Sequence, residues 1–130
     1  MKTKKNILIV DDDADQLQII GLYVEKFGFN AIKKDSQKEA EEYLEDNKPD
    51  LAIFDLMMEQ EDSGFILSYK IKKKYPETPV VILTAVASET GMIFGLDSEE
   101  EKKWIKADLY MEKNIREDQL HRELKKLLKI

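Results

Sequence analysis

Short apolar runs, separated by longer amphipathic stretches, are the feature that most constrains the fold of this chain. Four of them cover residues 7–10, 51–54, 80–83 and 109–111, and none contains a charged residue. Uninterrupted apolar strands of this length are typical of a parallel sheet that is covered on both faces. A further, more polar run at residues 30–34 is typical of an edge strand.

Apolar residues recur at helical spacing between these runs. The clearest stripes are Leu17, Ile20, Val24 and Phe27, and Leu120, Leu124, Leu127 and Leu128. Gly28 is expected to end the first helix and Ser36 to cap the second, while residues 88–106 are expected to form a short helix and an extended loop. Strand and helix therefore alternate five times along the sequence. This order predicts a doubly wound α/β fold with right-handed crossovers, and residues 1–130 are interpreted as one domain.

The composition argues against several classes of protein. A net charge of −6 argues against direct binding to nucleic acid, because an acidic surface releases no counterions from it. The absence of cysteine excludes disulfides and thiolate metal sites. The apolar run behind the lysine-rich N-terminus has only four residues, which is too short for a signal peptide or a membrane span. A cytoplasmic protein that makes no membrane contact is predicted.

A polar group directly follows, or closely follows, each apolar run. Residues 11–13 are all aspartate, and the later runs lead to Asp55, Thr84 and Lys113. In an open α/β sheet, the functional site lies at this carboxyl edge, where the strand order reverses. If the order is 2-1-3-4-5, the first and third strands are neighbours about 4.8 Å apart. The aspartates after the first run and Asp55 would then share one pocket.

Carboxylates placed this close together repel each other and need a cation between them. Mg²⁺ suits such a pocket, because it binds one or two carboxylates, keeps several waters and accepts a phosphate oxygen as a further ligand. Lys113 would add a second positive charge and Thr84 a hydroxyl donor. A carboxylate nucleophile, a metal ion, a lysine and a hydroxyl together favour the transfer of a phosphoryl group.

These segments resemble the receiver domains of response regulators. The resemblance rests on Ile-Leu-Ile-Val-Asp-Asp-Asp at 7–13, Pro-Asp-Leu-Ala-Ile-Phe-Asp-Leu-Met-Met at 49–58, Val-Val-Ile-Leu-Thr-Ala at 80–85 and Ala-Asp-Leu-Tyr-Met-Glu-Lys at 107–113. Each segment alone is weak evidence, but the order and strand-end positions of all four are specific. The resemblance covers nearly the whole chain and implies a flavodoxin-like, five-stranded parallel sheet in the order 2-1-3-4-5.

The resemblance also implies roles by position. Mg²⁺ would be bound by Asp11, Asp12, Asp55 and the main-chain carbonyl of Met57. Asp55 would accept the phosphoryl group from a histidine kinase or a phosphotransfer protein, and Thr84 and Lys113 would contact the phosphoryl oxygens. Such a protein is a phosphoacceptor that assists its own phosphorylation and dephosphorylation, and it is not counted as an enzyme.

A conformational switch is implied as well. In the family, the hydroxyl at the Thr84 position moves to the phosphoryl group, and the aromatic ring at the Tyr110 position turns inward. This repacks the face made by the fourth helix, the fifth strand and the fifth helix, which a downstream protein reads. The sequence does not identify that downstream protein.

Several positions depart from the receiver pattern. Glu59 stands where receivers usually have proline, and the interval from Thr84 to Lys113 is longer than usual. Asn114 replaces a proline that usually follows the lysine in a cis bond, and a cis bond before any other residue costs roughly 2.5–4 kcal/mol. In the family, the residues at the Met57 and Val86 positions control the access of water to the phosphoryl group. Both are apolar here, so the resemblance implies slow loss of that group. None of these changes removes a group needed for phosphoryl acceptance.

Three other functions compete with phosphoryl acceptance. The chain could be a receiver-like adaptor that binds its partner without phosphorylation. A phosphatase of the haloacid-dehalogenase kind needs a second acid two residues after the nucleophile, and Met57 stands there. A flavodoxin-like cofactor binder needs a first loop that attracts phosphate, which the aspartates at 11–13 would repel.

Outside the site, His121 is expected at an exposed helical position and the lysines of residues 70–74 on a solvated helix face.

Overall fold

The computed structural model describes residues 4–55, 63–84, 108–112 and 116–130. Its strands are β1 (Asn6–Val10), β2 (Asn30–Lys34), β3 (Leu51–Asp55), β4 (Val80–Thr84) and β5 (Leu109–Glu112). They form one parallel sheet in the order β2-β1-β3-β4-β5. The predicted α/β class and strand order are confirmed, and β2 lies at an edge as its polar sequence indicates.

In the described part of the chain, helices follow β1, β2, β3 and β5. They are α1 (Ala14–Lys26), α2 (Gln37–Asp46), α3 (Ser63–Lys74) and the C-terminal helix (Glu117–Leu128). Gly28 follows the end of α1 with φ 96°, a conformation that glycine adopts without strain. The Ser36 hydroxyl caps α2 by accepting a hydrogen bond from the Glu39 amide at 3.1 Å. The helix predicted within residues 88–106 lies outside the described residues.

The core lies on both faces of the sheet, because successive side chains of a buried strand point to opposite faces. Ile7 and Ile9 pack with α1 and the C-terminal helix on one face. Leu8 and Val10 pack with α2 and α3 on the other. Apolar residues are therefore needed at positions 7 to 10 of β1, which explains its uninterrupted run. None of the described helices combines the length and the hydrophobicity needed to cross a bilayer.

Two aspartates anchor the amino edge of the sheet. Asp50 precedes β3, and its Oδ2 accepts a hydrogen bond from the Asn6 amide at 2.7 Å. Asp108 precedes β5, and its Oδ2 accepts one from the Val80 amide at 2.8 Å. In both pairs the aspartate's own amide donates back to the carbonyl of the same partner at 2.8 Å. Each aspartate thus fixes the register of two neighbouring strands where they begin.

The prediction that His121 is exposed is wrong, because the residue is partly buried. Its ring stacks on Phe27, with 4.1 Å between ring centroids and 7° between ring planes. Lys26 and Glu117 form an ion pair at 2.9 Å beside this stack. The histidine therefore joins α1 to the C-terminal helix.

The lysines of residues 70–74 are only partly the solvated face that was predicted. The Lys72 side chain is 17% exposed, and its Nζ lies 2.8 Å from Oδ2 of Asp108. Lys70 pairs with Glu41. Lys74 donates to the Leu44 carbonyl at 3.0 Å, in the last turn of α2. These lysines therefore tie α3 to α2 and to the start of β5.

Candidate functional site

The register of the sheet brings two aspartates of the candidate site together. Val10 of β1 pairs with Phe54 of β3, and Asp11 and Asp55 come next on these neighbouring strands. Both aspartates are 3% exposed, whereas Asp12 is exposed. Carboxylate oxygens of all three residues lie within 4.8 Å of one another. The aspartates that were predicted to lie together at the carboxyl edge therefore form a cluster.

The aspartates in the loop after β1 have two different structural roles. Asp13 is the N-cap of α1, because its Oδ1 accepts hydrogen bonds from the amides of Asp15 at 3.0 Å and Gln16 at 3.3 Å. Its own amide donates to Oδ1 of Asp11 at 2.9 Å. The Asp11 amide in turn donates to the Lys34 carbonyl at 3.2 Å. Asp13 thus caps the helix, whereas Asp11 and Asp12 belong to the cluster of carboxylates.

The donor set of this cluster fits a hard divalent cation. Asp11, Asp12 and Asp55 offer only carboxylate oxygens, which suit Mg²⁺, Ca²⁺ or Mn²⁺ better than the softer metals that prefer nitrogen or sulfur. Two of the three carboxylates are almost fully buried, so their mutual repulsion is poorly screened by water. A bound divalent cation would offset this repulsion and would hold the three side chains together.

Two further predicted residues, Thr84 and Lys113, come at the end of β4 and directly after β5 in the sequence. Asp55 pairs with Leu83, and Thr84 is the next residue on β4. The main chain of Thr84 is thus at the carboxyl edge, as predicted. Thr84 pairs with Glu112 of β5, directly before Lys113. Lys113, Met57 and the bond between Lys113 and Asn114 lie outside the described residues.

Tyr110 lies on β5, opposite Ile82 of β4. Its side chain is partly buried and packs against the apolar cluster on the α2 and α3 face of the sheet. Burial raises the pKa of the Tyr110 phenol, because the charged form would lose hydration. The ring is therefore neutral over the physiological range and is part of the core next to the site.

Comparison with known proteins identifies the family. Residues 7–125 match the response regulator receiver domain. The phosphate regulon transcriptional regulatory protein PhoB of Pseudomonas aeruginosa is 31% identical over 127 residues, which are 96% of this chain and 52% of that protein. The chain therefore spans about half the length of this relative. It covers a still smaller share of several others, including 18% of the transcriptional regulatory protein GlrR of Escherichia coli.

Solved receiver structures share the fold. The receiver domain of Francisella response regulator 1452 is 28% identical, with a TM-score of 0.78, over 97% of this chain and 98% of that one. A response regulator from Thermotoga maritima is 27% identical, with a TM-score of 0.79, over 98% of this chain and all of that one. The protein therefore belongs to the response regulator receiver domain family of two-component signalling.

Proposed function

We propose that this protein accepts a phosphoryl group on Asp55 from a phosphohistidine, in a reaction that depends on Mg²⁺. The observation that carries the proposal is the position of the Asp55 carboxylate. It is 3% exposed and lies within 4.8 Å of carboxylate oxygens of Asp11 and Asp12. A buried carboxylate beside two metal-binding partners can act as a nucleophile whose developing charge is offset locally.

The chemistry requires little covalent participation from the protein. A carboxylate oxygen of Asp55 forms a bond to phosphorus while the phosphorus–nitrogen bond of the donor breaks, and the donor imidazole keeps the electron pair. Mg²⁺, when bound, would supply positive charge that offsets the charge of the carboxylates and of the transferring phosphoryl group. Asp11 and Asp12 would hold that ion, so the catalytic contribution of the protein would be mainly position and electrostatics.

Further residues complete the proposed site. The main-chain carbonyl of Met57 would be a fourth metal ligand, and Thr84 and Lys113 would contact the phosphoryl oxygens. Tyr110 would respond to the movement of the Thr84 hydroxyl, since it lies on the strand next to β4. Repacking of its ring would change the surface around β5 that a downstream protein binds.

The proposed protein is a switch that is modified once per cycle. It takes its phosphoryl group from a histidine kinase or phosphotransfer protein in the cytoplasm, and it does not turn over a separate substrate. Residues 1–130 would act as a single receiver domain. The relative from Pseudomonas aeruginosa is named a transcriptional regulatory protein, and this chain matches about half of its length. The output of this chain is proposed to pass through a downstream protein rather than through direct contact with DNA.

Intact mass after incubation with acetyl phosphate tests the proposal. The native protein with Mg²⁺ is expected to gain one phosphoryl group, and EDTA is expected to prevent the gain. Asp55→Ala removes the acceptor and should show no gain. Asp50→Asn is the matched control, because Asp50 precedes the same strand at the opposite edge of the sheet. This variant should gain the group like the native protein.

Two results would contradict the proposal. If Asp55→Ala gains the phosphoryl group as the native protein does, the acceptor lies elsewhere. If the native protein gains nothing, even with a phosphorylated histidine phosphotransfer protein as donor, phosphoryl acceptance is wrong. A receiver-like adaptor that works without phosphorylation would then be the better account.

A further inference from the structure

We propose that Asp13 is a positioning residue for the metal-binding carboxylate of Asp11, in addition to its role as the N-cap of α1. The proposal rests on the proposed function, because it concerns affinity for Mg²⁺ at the same site. Asp13 would act through Asp11 and would not bind the ion itself.

A single residue connects the metal site to the helix. The Asp13 amide donates to Oδ1 of Asp11 at 2.9 Å. The Asp13 side chain accepts hydrogen bonds from the amides of Asp15 and Gln16, and the Asp13 carbonyl accepts one from the Leu17 amide at 3.0 Å. Asp13 has extended backbone angles, φ −87° and ψ 110°, directly before the first helical residue. Its hydrogen bonds to α1 therefore fix the direction in which its amide points.

The orientation of Asp11 matters because the residue is buried beside two other carboxylates. A hydrogen bond to Oδ1 restricts rotation of the carboxylate before any ion arrives. A ligand that is already oriented loses less conformational freedom when the ion binds. Loss of the groups that orient a metal ligand typically weakens binding about 10- to 100-fold. Loss of the Asp13 side chain should act at the lower end of that range, since the amide itself remains.

Substitutions at Asp13 can separate the cap from the charge. Asparagine caps helices about as well as aspartate, so Asp13→Asn keeps the hydrogen bonds to α1 and removes only the negative charge. Asp13→Ala removes the cap. Asp13→Gly also removes the side chain, but glycine is tolerated at N-caps with little loss of stability. The glycine variant therefore tests positioning even if the alanine variant fails to fold.

Ser36→Ala provides a matched control for helix capping. Ser36 caps α2 through its bond from the Glu39 amide, as Asp13 caps α1 through bonds from Asp15 and Gln16. Removing this cap weakens the start of a helix without removing the side chain that fixes the Asp13 amide. Any loss of Mg²⁺ affinity that arises merely from reduced helix stability should therefore appear in this variant too.

The experiment is a calorimetric titration of the full chain with MgCl₂, with thermal unfolding measured on the same samples. We expect the dissociation constant to rise about tenfold in Asp13→Ala and Asp13→Gly. We expect it to stay within about twofold of the native value in Asp13→Asn and Ser36→Ala. Both alanine variants should unfold at lower temperature than the native protein.

Four outcomes overturn the inference. Native Mg²⁺ affinity in Asp13→Gly would make Asp13 a helix cap alone. An equal loss of affinity in Asp13→Asn would assign the effect to charge, and an equal loss in Ser36→Ala would assign it to helix stability. If the native protein itself binds no Mg²⁺, the proposed metal site fails and this inference fails with it. The first three outcomes leave the metal site and the phosphoryl gain of the native protein intact.

Discussion

Aspartates lie at both edges of the same parallel sheet, and their surroundings differ. At the amino edge, the carboxylates of Asp50 and Asp108 each accept a hydrogen bond from a main-chain amide of the neighbouring strand, at 2.7 and 2.8 Å. Asp108 also pairs with Lys72 at 2.8 Å. The protein itself therefore supplies partners that stabilise these negative charges.

At the carboxyl edge, the protein brings negative charges together. The carboxylates of Asp11, Asp12 and Asp55 lie within 4.8 Å of one another, and two of them are buried. Such an arrangement costs stability unless a cation compensates it. Aspartate therefore stabilises the fold at the amino edge, and we propose that it binds an ion and accepts the phosphoryl group at the carboxyl edge.

The largest effect on stability is expected from the amino edge. Asp108→Ala removes the acceptor of the Val80 amide and leaves the partly buried Lys72 without its ion pair. We expect the free energy of unfolding to fall by about 2 kcal/mol, measured by urea denaturation. Glu77→Ala is the control, because the Glu77 side chain is 88% exposed and lies 4.0 Å from Lys48. Its cost should stay below about 0.5 kcal/mol. Equal losses in the two variants would show that Asp108 does not anchor the sheet.

A pH effect is expected from Tyr110, which lies in the sheet between the two edges. Burial raises its pKa, so the unfolded chain loses this proton first as the pH rises above the ordinary tyrosine value of 10.0. The stabilising effect is complete below pH 10 and decreases above it. By pH 11 the native protein should lose up to about 1.4 kcal/mol more than Tyr110→Phe, relative to each protein at pH 8, because pH 11 is one unit above the pKa of the unfolded chain. Urea denaturation at the two pH values measures this difference, and equal losses would contradict it.

A smaller effect of opposite sign is expected at the carboxyl edge. Asp55→Asn keeps the size of the side chain and removes one of three mutually repelling charges. In EDTA we expect the free energy of unfolding to rise by about 1 kcal/mol, whereas most substitutions of a buried residue lower it. Denaturation of both proteins in urea checks this. A loss of stability would mean that attraction between the Asp55 charge and other groups outweighs its repulsion by Asp11 and Asp12.

Much of the fold could be predicted because all the described strands except β2 have an apolar run. These strands extend the predicted runs by a single residue at one end, for example to Asn6 in β1 and to Asp55 in β3. These added residues are polar, and they belong to the strands through backbone pairing, which side-chain pattern does not reveal. The acidic pocket was predictable for a related reason, since the carboxyl ends of neighbouring parallel strands meet at one edge.

The features that sequence reasoning missed depend on contacts between distant parts of the chain. Lys72 and Asp108 are far apart in the sequence, so their pairing is set by the sheet order and not by local pattern. His121 faces Phe27 for the same reason. One signal was present, however: Asp50 and Asp108 each directly precede an apolar run, the position from which a carboxylate can reach the first amide of a neighbouring strand.

The most direct test of the contrast between the amino and carboxyl edges is to measure how much Mg²⁺ raises the free energy of unfolding. Urea denaturation in EDTA and in MgCl₂ at ten times the dissociation constant should show the native protein stabilised by about 1.4 kcal/mol. Asp108→Asn, altered at the amino edge, should be stabilised by the same amount, and Asp55→Asn should lose most of the response. If Mg²⁺ stabilises Asp55→Asn as much as the native protein, the carboxyl-edge aspartates are not the metal site and the account is wrong.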